Sequence, residues 1–146
     1  MLDLISGDGE AGLSVFHVET PEEAEEVAVR FALTCRKRPA HLDYVVFPDE
    51  LAKDLGLSVD HIPDDKLDPY LGSRHHEIIG LDANKARMLA IRILAKEDRW
   101  VERVKERDLT EKGRACLRCD PGLSDYLKGE WPTKLGSRTG NPASGV

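Results

Sequence analysis

The 146-residue chain is poor in aromatic side chains, which make up 5% of it, and it has only three cysteines. A core must therefore be assembled mainly from Leu, Val, Ile and Ala. The odd cysteine count argues against a secreted disulfide framework and fits a reducing compartment. No apolar run approaches the ~18 residues of a membrane-spanning helix. The start, Met1-Leu2-Asp3-Leu4, lacks the basic flank and hydrophobic stretch of a secretory signal. These absences predict a soluble, cytoplasmic protein without a membrane partner. Also missing are a phosphate-binding glycine loop, a nucleophile elbow and a paired-histidine zincin helix, so the sequence reads as non-enzymatic and without a cofactor.

What is present is globular in kind: 40% apolar and 33% charged residues, at the length of one ordinary domain. The net charge of −6 hides a segregation. Residues 1–84 carry 7 Lys/Arg against 18 Asp/Glu, a net −11, whereas residues 85–119 carry 11 against 6, a net +5. A basic surface aimed at an acidic partner would produce this, and so would an electrostatic match between two halves of one molecule.

In chain order, residues 1–12 read as a loose arm and Leu13–Glu19 as a short strand. A helix then starts at Thr20, with Pro21 at its first position and Glu23 where a capping box places its carboxylate. Its apolar face includes Cys35, predicted as a buried, inert thiol, and Arg36, Lys37 and Arg38 form its basic last turn before Pro39. Leu42–Phe47 reads as a buried strand joined to the first by a crossover. Asp49–Leu55 reads as a short helix capped by Gly56, 58–74 as an acidic loop, and Arg74–Leu81 as a third strand. The expected fold is α+β: a small three-stranded sheet with two to four helices, occupying residues 13–131 and followed by a flexible tail, 132–146.

The longest periodic segment is 82–107, expected as one continuous C-terminal helix. At about 100° per residue, Lys85, Arg92, Lys96, Arg99, Arg103 and Arg107 fall along one line. An apolar arc containing Ala86, Ile93, Leu94, Val101 and Val104 lies roughly 120° away. Like charges at i,i+3 and i,i+4 repel, so this ridge calls for a compensating phosphate backbone, acidic protein surface or internal carboxylates.

Two stretches resemble DNA-binding families. Residues 49–62, Asp-Glu-Leu-Ala-Lys-Asp-Leu-Gly-Leu-Ser-Val-Asp-His-Ile, resemble the first helix and turn of helix-turn-helix regulators. The resemblance implies that Gly56 makes the turn and Ser58 caps a recognition helix. With Val45-Val46-Phe47-Pro48 ahead of it, the same stretch looks like swapped-hairpin, antitoxin-like DNA-binding domains. Trp100–Val104 running into Leu109-Thr110-Glu111-Lys112-Gly113 resembles the wing strand and following helix of winged-helix repressors, with Thr110 as the cap. That reading makes 100–104 extended and competes with the continuous helix, which the persisting period favours.

Cys116 and Cys119 have half of a zinc-site spacing, for which His75 and His76 are available partner ligands. On a strand, His75 and Glu77 share a face while His76 points away. The leading expectation is a small regulatory protein that contacts nucleic acid through the ridge, compatible with a homodimer. Two other classes compete: an adaptor or inhibitor whose acidic half occupies a basic protein surface as a nucleic-acid mimic, and a metal-dependent enzyme using His75 and Glu77.

Overall fold

The computed structural model describes residues 12–95 and 100–136, apart from the side chains of Trp100 and Val101. The elements run β1 (Leu13–Phe16), α1 (Pro21–Cys35), β2 (Leu42–Val46), α2 (Glu50–Lys53), β3 (Ser58–His61), α3 (Pro69–Gly72), β4 (His75–Ile79), α4 (Ala83–Ala95), β5 (Trp100–Val104) and α5 (Glu106–Cys119). A 3-10 helix, Pro121–Tyr126, and α6 (Trp131–Lys134) complete them. The fold is α+β, with an antiparallel sheet of order β1-β4-β3 and a separate antiparallel ribbon, β2-β5. Since β1 and β2 lie in different sheets, α1 bridges two sheets and is not a crossover within one.

Local chemistry sets α1. The Glu23 amide donates to Thr20 Oγ1 at 3.1 Å, and the Glu19 amide to the Glu23 carboxylate at 2.9 Å, so the start of the helix is closed from both sides. Its end differs from expectation: the helix stops at Cys35 with Arg36 extended, and the three basic residues lie beyond its last turn. Gly56, at φ +75°, ends α2 in a Schellman arrangement. The Leu57 amide reaches Ala52 O at 3.2 Å, and the Gly56 amide reaches Lys53 O at 2.9 Å.

Three expectations fail here. Ser58 opens strand β3 and does not cap a recognition helix; this segment pairs with β4 in the register Ser58↔Ile79 to His61↔His76. The expected continuous helix over 82–107 is not formed. Helix α4 ends at Ala95, and Trp100–Val104 is a strand in register with β2, from Leu42↔Val104 to Val46↔Trp100. Val101 and Val104 fit a helical spacing, but with Trp100 they are strand-favouring residues, and pairing with β2 decides between the two periods. Thr110 lies inside α5, its hydroxyl bonded to Glu106 O at 3.0 Å, and Lys105 is the N-cap.

Two packed clusters hold the chain. One joins Val29 and Leu33 of α1 to Leu42, Val104, Leu109 and Trp131; Leu135 also belongs to it, so the folded chain runs past the expected tail boundary at 132. The other places Ala52, Leu57, Leu89 and Ile93 against Ile78 of the three-stranded sheet. The expectations of a loose arm and a flexible tail otherwise fall on residues outside those described.

Arg30 ties α1 to distant loops. Its side chain is 5% exposed, and one of its Nη1 hydrogens reaches Asp68 Oδ1 at 2.9 Å. It also meets Asp120 Oδ2 at 3.0 Å and Glu26 Oε1 at 3.0 Å, with the Tyr70 ring centroid 4.6 Å from the guanidinium carbon. Asp68 is fully buried, and its Oδ2 has no hydrogen-bond partner among the described residues. Arg30 is therefore its principal compensation. Arg30→Ala is expected to cost about 3–5 kcal/mol in urea unfolding, because Asp68 cannot turn to water as Asp120 can. Asp68→Asn in that background should recover part of the loss.

Gly129 has φ +56°, and a Cβ there would collide with the Lys37 backbone, whose carbonyl accepts from the Glu130 amide at 2.8 Å. Nothing lies within 4 Å of a Cβ at Gly56. Thermal unfolding should therefore show Gly56→Ala costing about 1 kcal/mol, from conformation alone, and Gly129→Ala clearly more.

Candidate functional site

The fold distributes the predicted basic ridge over three elements. Lys85 and Arg92 are on α4, Arg103 is on β5 and Arg107 is in the first turn of α5, while Lys96 and Arg99 fall outside the described residues. Arg103 stands opposite Asp43 in the ribbon register and grips it with both arms, Nε at 2.6 Å and an Nη2 hydrogen bond at 2.8 Å. Arg107 faces Glu111 one turn along, at 3.7 Å. Two of the four described cations thus meet the protein's own carboxylates, and the four do not lie along one helix.

Helix α4 presents a different surface. Asp82 caps it, accepting from the Lys85 amide at 2.8 Å, and Leu89 and Ile93 bury its inner side against the three-stranded sheet. On the outer side Met88, Ile91 and Leu94 are 39%, 54% and 64% exposed, the last two being the most open of the large apolar side chains described. Spaced by three, they descend the helix as a slanted row. Arg87 lies within the row on the wheel, and Arg92 and Lys85 border its other edge. No Asp or Glu occurs from Ala83 to Ala95, and Lys85, Arg87 and Arg92 form no ion pair within the described residues. An apolar strip edged by unmatched cations can bury hydrocarbon and engage carboxylates at once.

Leu94 was expected on the packed arc and is the most exposed of the three. The sequence signal for the outer row is that α4 is apolar on two sides, Leu89 and Ile93 on one and Met88, Ile91 and Leu94 on the other.

The cysteine and histidine candidates are not brought together. Among the described residues, no three His, Cys, Asp or Glu side chains form a group that could hold a metal. Cys116 is half-buried in α5 and Cys119 exposed at its end, whereas His75 and His76 belong to β4. Burial, then the charge of Glu26, pushes the Cys116 thiol pKa up. Cys35 is an exposed residue at the end of α1, contrary to the expected burial, yet its thiol lies against protein 3.7 Å from Thr34 Oγ1, and desolvation raises its pKa as well. Both are poor nucleophiles at neutral pH.

His75 and Glu77 share a face, as the strand period requires. The partners of His75 are Ser14 and Ile62, and Glu77 is not among them. A shallow depression between β5 and α5, lined by Glu102, Arg103, Asp108, Glu111 and Lys112, has mixed charge, and Lys112 is already held by Glu25 at 2.6 Å. No helix among the described residues is long and apolar enough to cross a membrane. Comparison of the chain with family models, curated proteins and solved structures gave no match.

The ribbon's ion pair has a pH signature. The Arg103 hydrogen bond holds the Asp43 carboxyl below its ordinary range. A depressed folded-state pKa contributes stability above the unfolded value of about 3.9 and loses it as the pH falls through the folded value. A carboxyl-resolved NMR titration should therefore show Asp43 titrating below about 3.9 in the native chain. Arg103→Gln should move it upward.

Proposed function

We propose that this is a non-enzymatic, regulatory protein-binding module whose α4 seats an acidic, amphipathic segment of a partner protein. The observation that carries the reading is the exposed Met88-Ile91-Leu94 row, with Arg87 set within it and Lys85 and Arg92 along its other edge. Fully burying such side chains yields roughly 1.5–3 kcal/mol each. Part of that is spent on association and side-chain ordering, so three of them anchor a modest, regulated affinity more readily than a permanent one.

The chemistry of the row selects among partners. A phosphate backbone would use the cations and leave the three apolar side chains in water. A second copy of this chain, set α4 against α4, would bury the row but bring Arg87 and Arg92 of both copies together without a carboxylate. A segment with an apolar stripe flanked by Asp or Glu satisfies both features, as in helix-in-groove recognition. The nucleic-acid reading rested on a continuous ridge, and that ridge does not form.

A photo-crosslinking residue at position 91 of the full chain, in its native cell, should give a protein adduct that the same residue at exposed position 50 does not. Mass mapping should place the adduct on a segment alternating acidic and apolar residues. Leu94→Glu with Arg87→Glu should abolish the adduct while leaving unfolding within about 0.5 kcal/mol per exposed site. An adduct with nucleic acid or with a second copy of the chain, or equal labelling at position 50, would overturn the reading.

A further inference from the structure

We propose that Ser14 and His75 form a nucleophile and base pair able to accept an acyl group from a small, neutral or cationic activated ester. The proposal is independent of α4. It stands on the three-stranded sheet, on geometry that the α4 reading does not use.

Sheet register assembles the pair. Phe16 stands opposite His75 and Ser14 opposite Glu77, so Ser14 and His75 are diagonal neighbours on one face, within reach of a long side chain. His75 Nε2 lies 3.1 Å from Ser14 Oγ, and His75 Nδ1 lies 2.7 Å from the Ile62 carbonyl oxygen. A carbonyl only accepts, so in the neutral ring Nδ1 carries the hydrogen and Nε2 presents its lone pair. The hydroxyl of Ser14 is then the donor to Nε2. Ile62 also donates its amide to the His75 carbonyl at 3.1 Å, so one residue clamps both the backbone and the ring of His75.

This is the nucleophile, base and orienting acceptor of a hydrolytic triad, with a main-chain carbonyl in the place of a carboxylate. Burial is divided as that chemistry requires. His75 is buried, with Phe16 edge-on at 5.7 Å and Phe31 behind it, while Ser14 is exposed on an edge strand. The His17 amide bonds to Arg74 O, which fixes the phase of the ladder. Residues 13, 15 and 17 address β4, and the Ser14 amide points to the other edge of β1, which no strand among the described residues covers and where it can donate to a developing oxyanion.

In the reaction the Ser14 oxygen bonds to the acyl carbon and its proton passes to Nε2, while Nδ1–H remains on the Ile62 carbonyl. The acyl carbon then releases its alkoxide or phenoxide, which leaves with the bonding electrons and takes the proton from Nε2. Water repeats the sequence to free Ser14. The Glu77 carboxylate lies beside Gly12, on the same face two residues before Ser14, and Asp60 is paired across from Glu77. Carboxylates on this face repel anionic acyl donors, which sets the substrate class.

The test treats the full chain with p-nitrophenyl acetate and, separately, with an alkyl fluorophosphonate, followed by peptide mapping. Ser14 should be labelled about 100-fold faster than exposed Ser58 and Ser73 of the same chain, the usual contribution of a positioned base. The label should vanish in Ser14→Ala, whose melting should match the parent, and fall by a similar factor in His75→Gln. The comparison among serines needs no variant and survives a failure of His75→Gln to fold. Equal labelling of the three serines, or label confined to lysines, would overturn the proposal.

Discussion

The pairing of β5 with β2 is the constraint from which the rest of the arrangement follows. It joins Trp100–Val104 to Leu42–Val46 over five residue pairs. In doing so it lays Val104 and Leu42 into the α1 cluster and starts α5 where it can pack along α1. A residue in a strand turns half a revolution from its neighbour, whereas in a helix it turns about 100°. Once 100–104 is extended, Arg103 can no longer share a line with Arg92. The same pairing puts Arg103 opposite Asp43, and two short hydrogen bonds replace the repulsion expected along a helix.

That replacement is one case of how the charge segregation resolves. The acidic N-terminal portion and the basic middle meet within the molecule: Lys112 with Glu25 and Arg103 with Asp43. These pairs are solvent-exposed and contribute little to stability. Their importance is that they remove cations from the set available to a partner. Arg30 differs because it is buried, and there the geometry must compensate desolvation with several hydrogen bonds. On α4, between these matched regions, the cations meet no carboxylate among the described residues.

Legibility followed the range of the deciding interaction. Helix α1 could be read because Thr20, Pro21 and Glu23 settle its start within four residues, and β2 and the end of α2 could be read from β-branched residues and Gly56. Strand β3 could not, because Ser58-Val59-Asp60-His61 is mostly polar and exposed, and only its partner β4 makes it a strand. Residues 100–104 satisfied both periods, so the choice belonged to β2, more than fifty residues earlier. Past Trp131 the composition is that of a tail, yet the Lys37 and Leu33 carbonyls capture the Glu130 and Lys128 amides and carry Trp131 and Leu135 into the core. The partnership of Ser14 and His75 spans 61 residues and leaves no local pattern. The outer row of α4 was legible in principle, as a second apolar side on one helix.

Why α4 can carry that second side without unfolding is a matter of how little tertiary packing it needs. Only Leu89 and Ile93 are buried among its thirteen residues. A short helix is marginal alone, but this one has four alanines, Leu, Met, Arg and Lys, none of them β-branched, at most other positions, and an Asp82 cap at its start. Local propensity thus supplies part of what packing supplies to α1, which buries eight residues over fifteen. A helix held along one edge by two side chains can give its remaining surface to another molecule, and substitutions on that surface can alter binding while leaving the core untouched. Helix α1 has no such freedom, because Ala24, Val27, Val29, Ala32 and Leu33 are all committed to the interior.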